Sequence, residues 1–214
     1  MNEEKNTSGS LSGRRAEALR NDDLILGAAR EVFVADPRAP ISAVSGRAGV
    51  GIGALYRRYG SKEGLLRCIC SGGLGRYISV VEDALADEGD AWEAFGGFML
   101  RAVEADTHSL TLRLAGTFVP TEELNREGER AHDLTQRLLD RTKEAGALRP
   151  DIEVGDLTLI FEQLASVRAG DEKRTEQLRR RYLALMLDAL RAPSEEPLPG
   201  PPPAWEEIRL RWEA

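Results

Sequence analysis

The stretch PISAVSGRAGVGIGALYRRYGSKEGLL, Pro40 to Leu66, reads as two short helices set at an angle about a glycine turn. Ile41, Val44 and Ala48 recur on one helical face, and Val50, Leu55 and Tyr59 supply a second apolar set. Gly49 falls between the two sets, where a residue without a Cβ turns the backbone at least cost. Two helices joined in this way form a helix-turn-helix. Arg47, Arg57, Arg58 and Lys62 are basic and Glu63 is the only acid near them in sequence, a balance that suits a phosphate backbone. Gly51, Gly53 and Ala54 open the second helix with small residues, so its backbone can lie deep in a major groove. Ser61, before Lys62 and Glu63, reads as the N-cap of a following helix, and the free amides there would favour a phosphate together with the Lys62 ammonium.

The 214-residue chain carries a net charge of -7, which argues against a nucleic-acid protein until the charge is divided along the chain. Residues 1–67 carry +3 and the remainder -10, the asymmetry expected of a DNA-reading head on an acidic body. The length suffices to bury ample apolar surface, so no covalent staple is needed. Cys68 and Cys70 are too close for an ordinary disulfide and too few for a zinc site. They read as buried packing thiols in a reducing cytoplasm, or as oxidation sensors if exposed. No secretory signal and no membrane-spanning run is expected.

Four regions follow from composition and periodicity. Residues 1–20 read as a flexible arm, polar through Gly13; Arg14, Arg15 and Arg20 then serve either as a solvated helix lead-in or as a basic arm reaching DNA. Residues 21–67 form the helix-turn-helix domain, whose first helix carries Leu24, Ile25, Ala28, Ala29, Val32 and Phe33 after Asn21 or Asp22 as N-cap. Residues 68–192 form a helical body. Its first helix, from Leu65, is interrupted by Gly72, Gly73 and Gly75, where a bend or hinge is expected. Amphipathic or apolar helices are then expected over Asp90–Ala105, Ser109–Phe118 and Glu122–Ala145, followed by a final pair apolar over a broad arc. Residues 193–214 form a proline-rich tail in which EEIRLRWEA, with Trp205 just before it, either docks on the body as a short helix or stays apart.

The string AGVGIGALYRRYGSKEGLL, Ala48 to Leu66, resembles the signature of TetR-family transcriptional regulators. The resemblance extends through LILGAAREVF upstream and, more loosely, through EAGALRPDIEVGDL and RRRYLALMLDALRAP downstream. Gly51, Ala54 and Tyr59 stand where Ser, Thr and Phe are frequent, departures that bear on the operator sequence and not on the fold. The resemblance implies an all-α protein, with an N-terminal three-helix DNA-binding domain and a C-terminal helical ligand-binding and dimerisation domain. It places Ser42, Gly51, Ile52, Gly53, Ala54 and Arg57 against bases or backbone, and Tyr56, Tyr59 and Lys62 on phosphates.

The same resemblance implies a homodimer formed by the final two helices as a four-helix bundle, through Leu157, Phe161, Leu164, Tyr182, Leu183, Met186 and Leu190. It also raises a small-molecule pocket lined by Trp92, Phe95, Met99, His108, Phe118, Phe161 and Glu162 above the alternative of a filled core. Its partners would be a double-stranded palindromic operator and a small-molecule effector that releases it, without membrane, metal or cofactor. His108 and His132 lie in no nucleophile or metal spacing, so no catalytic residue is assigned. The competing reading is a helical adaptor that keeps the helix-turn-helix as scaffold.

Overall fold

The structure, a computed structural model, describes the backbone of residues 7–193 and 196–212, with side chains from residue 21 onward except those of 107, 109, 111 and 112. Ten helices follow one another among the described residues: α1 (Thr7–Ala35), α2 (Ile41–Ala48), α3 (Ile52–Tyr59), α4 (Lys62–Ala86), α5 (Ala91–Glu104), α6 (Thr107–Leu114), α7 (Glu122–Glu144), α8 (Val154–Ser166), α9 (Glu172–Leu190) and α10 (Trp205–Leu210). The fold is all-α; a lone bridge pairs Leu148 with Arg191. No helix among the described residues is long and apolar enough to cross a membrane.

The chain divides into two compact units, Met1–Ile69 and Cys70–Ala214. In the first, α1 packs on α2 and α2 on α3. Ile25, Ala29 and Phe33 of α1, Ile41 and Val44 of α2, Leu55 of α3 and Leu65 of α4 close its core. Burying side chains of this size contributes about 1.5–3 kcal/mol each, which is what holds so short a pair as α2 and α3 in place. One expectation is corrected here. α1 begins at Thr7, so Asn21 and Asp22 lie inside the helix and cap nothing. The Asp22 carboxylate instead accepts bonds from Arg58 of α3. Of the expected 1–20 arm, residues 1–6 lie outside the described residues and 7–20 have helical backbone.

In the second unit α8 packs against α5, α6, α7, α9 and α10. Phe95, Phe98 and Met99 of α5, Leu138 and Leu139 of α7, and Leu157, Phe161 and Leu164 of α8 are buried together with Tyr77 and Val81 of α4. The rings meet edge to face, Tyr77 on Phe98 at 5.5 Å and Phe98 on Phe161 at 6.0 Å. Helix starts are capped by Asp90, Thr121 and Asp171, each accepting a backbone N–H three residues on. Two arginines close helix ends from neighbouring elements. Arg141 of α7 donates to the carbonyls of Ala84, Leu85 and Asp87 at the end of α4. Arg179 of α9 donates to Ala165 and Val167 at the end of α8 and pairs with Asp106 at 2.8 Å.

The tail docks. Arg149 grips Asp151 through two 2.9 Å bonds and donates to the Glu196 carbonyl, while Asp151 also accepts the Leu198 N–H at 2.8 Å. These bonds hold the Asp151 carboxyl well below the usual carboxylate range. Farther along, α10 lies on α8 with Ile208 buried.

Candidate functional site

The head presents α3. α2 ends at Gly49, left-handed at φ 69°, whose N–H returns to the Ser45 carbonyl, and the extended Gly51 then starts α3. With Leu55 fully buried, the opposite side of α3 is committed outward: Gly51, Gly53 and Arg57 are exposed, Ile52 is 43% and Tyr56 49% accessible. Ser42 is exposed on α2, whereas Ala54, Tyr59 and Lys62 are half-buried. Ser61 caps α4, its hydroxyl accepting the Gly64 N–H at 3.0 Å.

The charges of this face are arranged differently from their arrangement in sequence. Glu63 is not the only acid near the cations, because α1 brings two more. Glu31 pairs with Arg47 at 2.6 Å and Asp22 with Arg58 at 2.7 Å. The Asp22 carboxylate also accepts the Tyr59 hydroxyl, and burial with that acid beside it pushes the phenol up to about 12. Lys62 donates to the Pro37 carbonyl at 2.9 Å and lies 5.0 Å above the Phe33 ring. Arg57, by contrast, makes no ion pair among the described residues.

The second unit contains a cavity of about 240 Å³. Of the pocket residues expected from sequence, His108 alone lines it. Trp92, Phe95, Met99 and Phe161 sit in or against the apolar core, Phe118 is buried against Trp212, and Glu162 is buried against Arg211. The walls come instead from Leu74 and Tyr77 of α4, Thr135 of α7, and Trp205, Ile208 and Trp212 of the tail. The expected set is corrected accordingly. Aromatic residues at helical spacing do what such residues most often do, which is fill a core.

His108 stacks on Phe161 at 4.5 Å and meets Tyr77 at 5.4 Å. Burial among these rings pulls its imidazole down to about 4, so it is neutral at physiological pH. Tyr77 and Thr135 share a 2.9 Å hydrogen bond, and burial raises the Tyr77 phenol. Cys70 lines the cavity with its thiol pushed up to about 12 by burial, while Cys68 is exposed, contrary to the expectation of two packing thiols. Among the described residues no group of His, Cys, Asp and Glu could hold a metal ion.

The expected dimer residues divide by accessibility. Leu157, Phe161, Leu164, Leu183 and Leu190 are buried within the protomer and have no face left for a partner. Tyr182 is exposed and Met186 half-buried; Leu159 on α8 and Leu185 on α9, which the periodicity did not single out as partner-facing, are exposed as well.

Two sequence profiles match the chain: "Bacterial regulatory proteins, tetR family" over residues 25–69 and "Transcriptional regulator SbtR-like, C-terminal domain" over residues 87–192. The chain belongs to the TetR family. It is therefore a DNA-binding transcriptional regulator and not an enzyme. A TetR transcription regulatory protein from Mycobacterium vanbaalenii is 25% identical, with 83% of this chain and 99% of that one covered and a TM-score of 0.54. A gamma-butyrolactone receptor described as ArpA-like has 20% identity, 92% and 97% coverage and a TM-score of 0.59. The TetR-like regulator LfrR from Mycobacterium smegmatis, solved in complex with proflavine, has 16% identity, 78% and 96% coverage and a TM-score of 0.56. Comparison with curated proteins returns no match.

Proposed function

We propose that this TetR-family regulator is a repressor that binds a palindromic operator as a homodimer and leaves it when a small molecule occupies the cavity of the second unit. The observation that carries the reading is the outward face of α3. Ile52, Tyr56 and Arg57 stand exposed on a helix whose opposite side is anchored by Leu55. An exposed apolar pair beside an unpaired cation suits thymine methyls and phosphate or guanine in a major groove. Ser42, Gly51, Gly53 and Ala54 surround this face and allow close approach, with Tyr59 and Lys62 at its edge.

Leu159, Tyr182 and Leu185, exposed apolar residues on α8 and α9, support a dimer. A two-fold dimer sets half-sites about one DNA turn apart, roughly 34–36 Å. For the effector, α4 is one unbroken helix from Lys62 to Ala86: Leu65 and Leu66 belong to the core of the head, and Leu74 and Tyr77 line the cavity. A ligand preferring one arrangement of α4 would thereby bias the head, and only that differential affinity shifts the equilibrium. The likeness to a gamma-butyrolactone receptor and to a regulator solved with proflavine supports a small-molecule effector. Such a regulator works where the DNA is, in the cytoplasm.

Footprinting on the DNA flanking the coding sequence tests this. A protected palindrome, lost on adding a metabolite fraction, is expected. No protection at low salt with dimer present overturns it, and a stable protein complex indifferent to Arg57→Ala would favour the adaptor reading.

A further inference from the structure

We propose that the C-terminal segment 196–212 is the specificity-determining wall of the cavity, with Trp205, Ile208 and Trp212 completing a site for an uncharged, ring-bearing apolar molecule. This rests on the effector reading above and names both the chemistry of the effector and the part of the chain that selects it. The profile matches stop at residues 69 and 192, so the wall lies outside both.

The segment is built as a wall and is fastened both by its rings and by polar contacts away from the cavity. Trp205 lies over His132 of α7 at 4.5 Å, Trp212 meets Phe118 edge-on at 5.8 Å, and Ile208 between them is buried. Besides these ring contacts, three polar contacts between residues outside the cavity lining hold the segment. Arg211 pairs with Glu162 at 2.9 Å, Leu198 is tied to Asp151, and the Glu207 carboxylate caps the Ala204 N–H at 2.7 Å. Pro203 rests directly on Gly155 of α8, where any Cβ would overlap the Pro203 carbonyl and ring. That glycine exists for close approach of the tail.

The chemistry of the interior follows from its polar groups. Tyr77 and Thr135 satisfy each other, and Thr135 also donates to the Ala131 carbonyl. Both hydroxyls and the His108 ring are neutral and give a charged ligand no counter-ion, while His132, which also lines the cavity, has a buried Nδ1 without a hydrogen-bond partner, a polar anchor for an uncharged ligand. Glu129 and Arg209, which also line the cavity, are exposed to solvent. An apolar cavity of about 150 Å³ holds benzene. At about 240 Å³ this one suits a somewhat larger, one- or two-ring molecule.

The test uses the full-length chain and 2-naphthol, uncharged at neutral pH, as calorimetric probe. Wild type should bind it saturably. Trp205→Ala should weaken binding at least tenfold by removing the wall, and so should Gly155→Val, which dislodges the segment without touching the cavity. Gly155→Val should keep wild-type operator protection and helical circular dichroism; if it does not fold, Trp205→Leu replaces it and should weaken binding at least threefold. Wild-type probe affinity in the variants overturns the wall while leaving the effector reading standing. Absence of probe binding by wild type, with operator release by a metabolite fraction intact, overturns the inferred chemistry alone. Failure of any small molecule to release the operator removes the effector reading and the wall with it.

Discussion

Arg57 differs from the other cations of the head in what surrounds it. Arg47 and Arg58 already have carboxylate partners in α1, and Lys62 has a carbonyl and a ring, so each would have to exchange an existing contact for a phosphate. Arg57 exchanges only water. Arg57→Ala should therefore weaken operator binding by about 1–3 kcal/mol and leave the melting temperature unchanged, measured by mobility shift and thermal melting. His108 gives a pH prediction. Its folded pKa of about 4 lies below the value near 6.5 of an unfolded chain, so the unfolded state binds more protons between those values. Stability is then complete above about pH 6.5 and declines as pH falls toward 4, by up to about 3 kcal/mol. Denaturant titrations in that window should show the decline, and His108→Gln should flatten it.

At the scale of the element, the helix-turn-helix depends on one backbone conformation. Gly49 holds φ 69°, a region in which a Cβ collides with its own backbone. Gly49→Ala should cost about 1–2 kcal/mol in chemical denaturation and weaken operator binding by disturbing the angle between α2 and α3. This turn was legible in sequence because the constraint is local. Other boundaries were legible for the same reason: the expected helices over 90–105 and 122–145 correspond to α5 and α7, whose caps Asp90 and Thr121 lie next to them in sequence. α6 was not. It runs Thr107–Leu114 instead of reaching Phe118, because Gly116 turns left-handed at φ 72° and the Leu114 carbonyl then accepts both the N–H and the hydroxyl of Thr117. The apolar pattern runs through that stop, which Gly116 marks.

For the whole molecule, the exposed Leu159, Tyr182 and Leu185 predict a dimer that a charge should break. Leu185→Asp should yield a monomer in analytical ultracentrifugation, with the fold retained since the residue is 55% accessible. Operator affinity should fall by orders of magnitude, because two half-site contacts held by one dimer act as a linked pair.

What the sequence determined by itself rests on local physics. The all-α class, the helix-turn-helix from Pro40 to Leu66 and its glycine turn follow from periodicity, capping and backbone freedom, which are properties of neighbours along the chain. Tertiary structure alone decided which of the helical residues were left over for function. Asp22 and Glu31, 36 and 16 residues from their partners, neutralise cations that looked free. Phe95 and Met99 disappear into a core with Trp92 packed against it, and the tail supplies the cavity wall in their place. Apolar spacing reports that a side chain will be buried; only the packing of distant elements decides whether it is buried against its own core, a partner or a ligand.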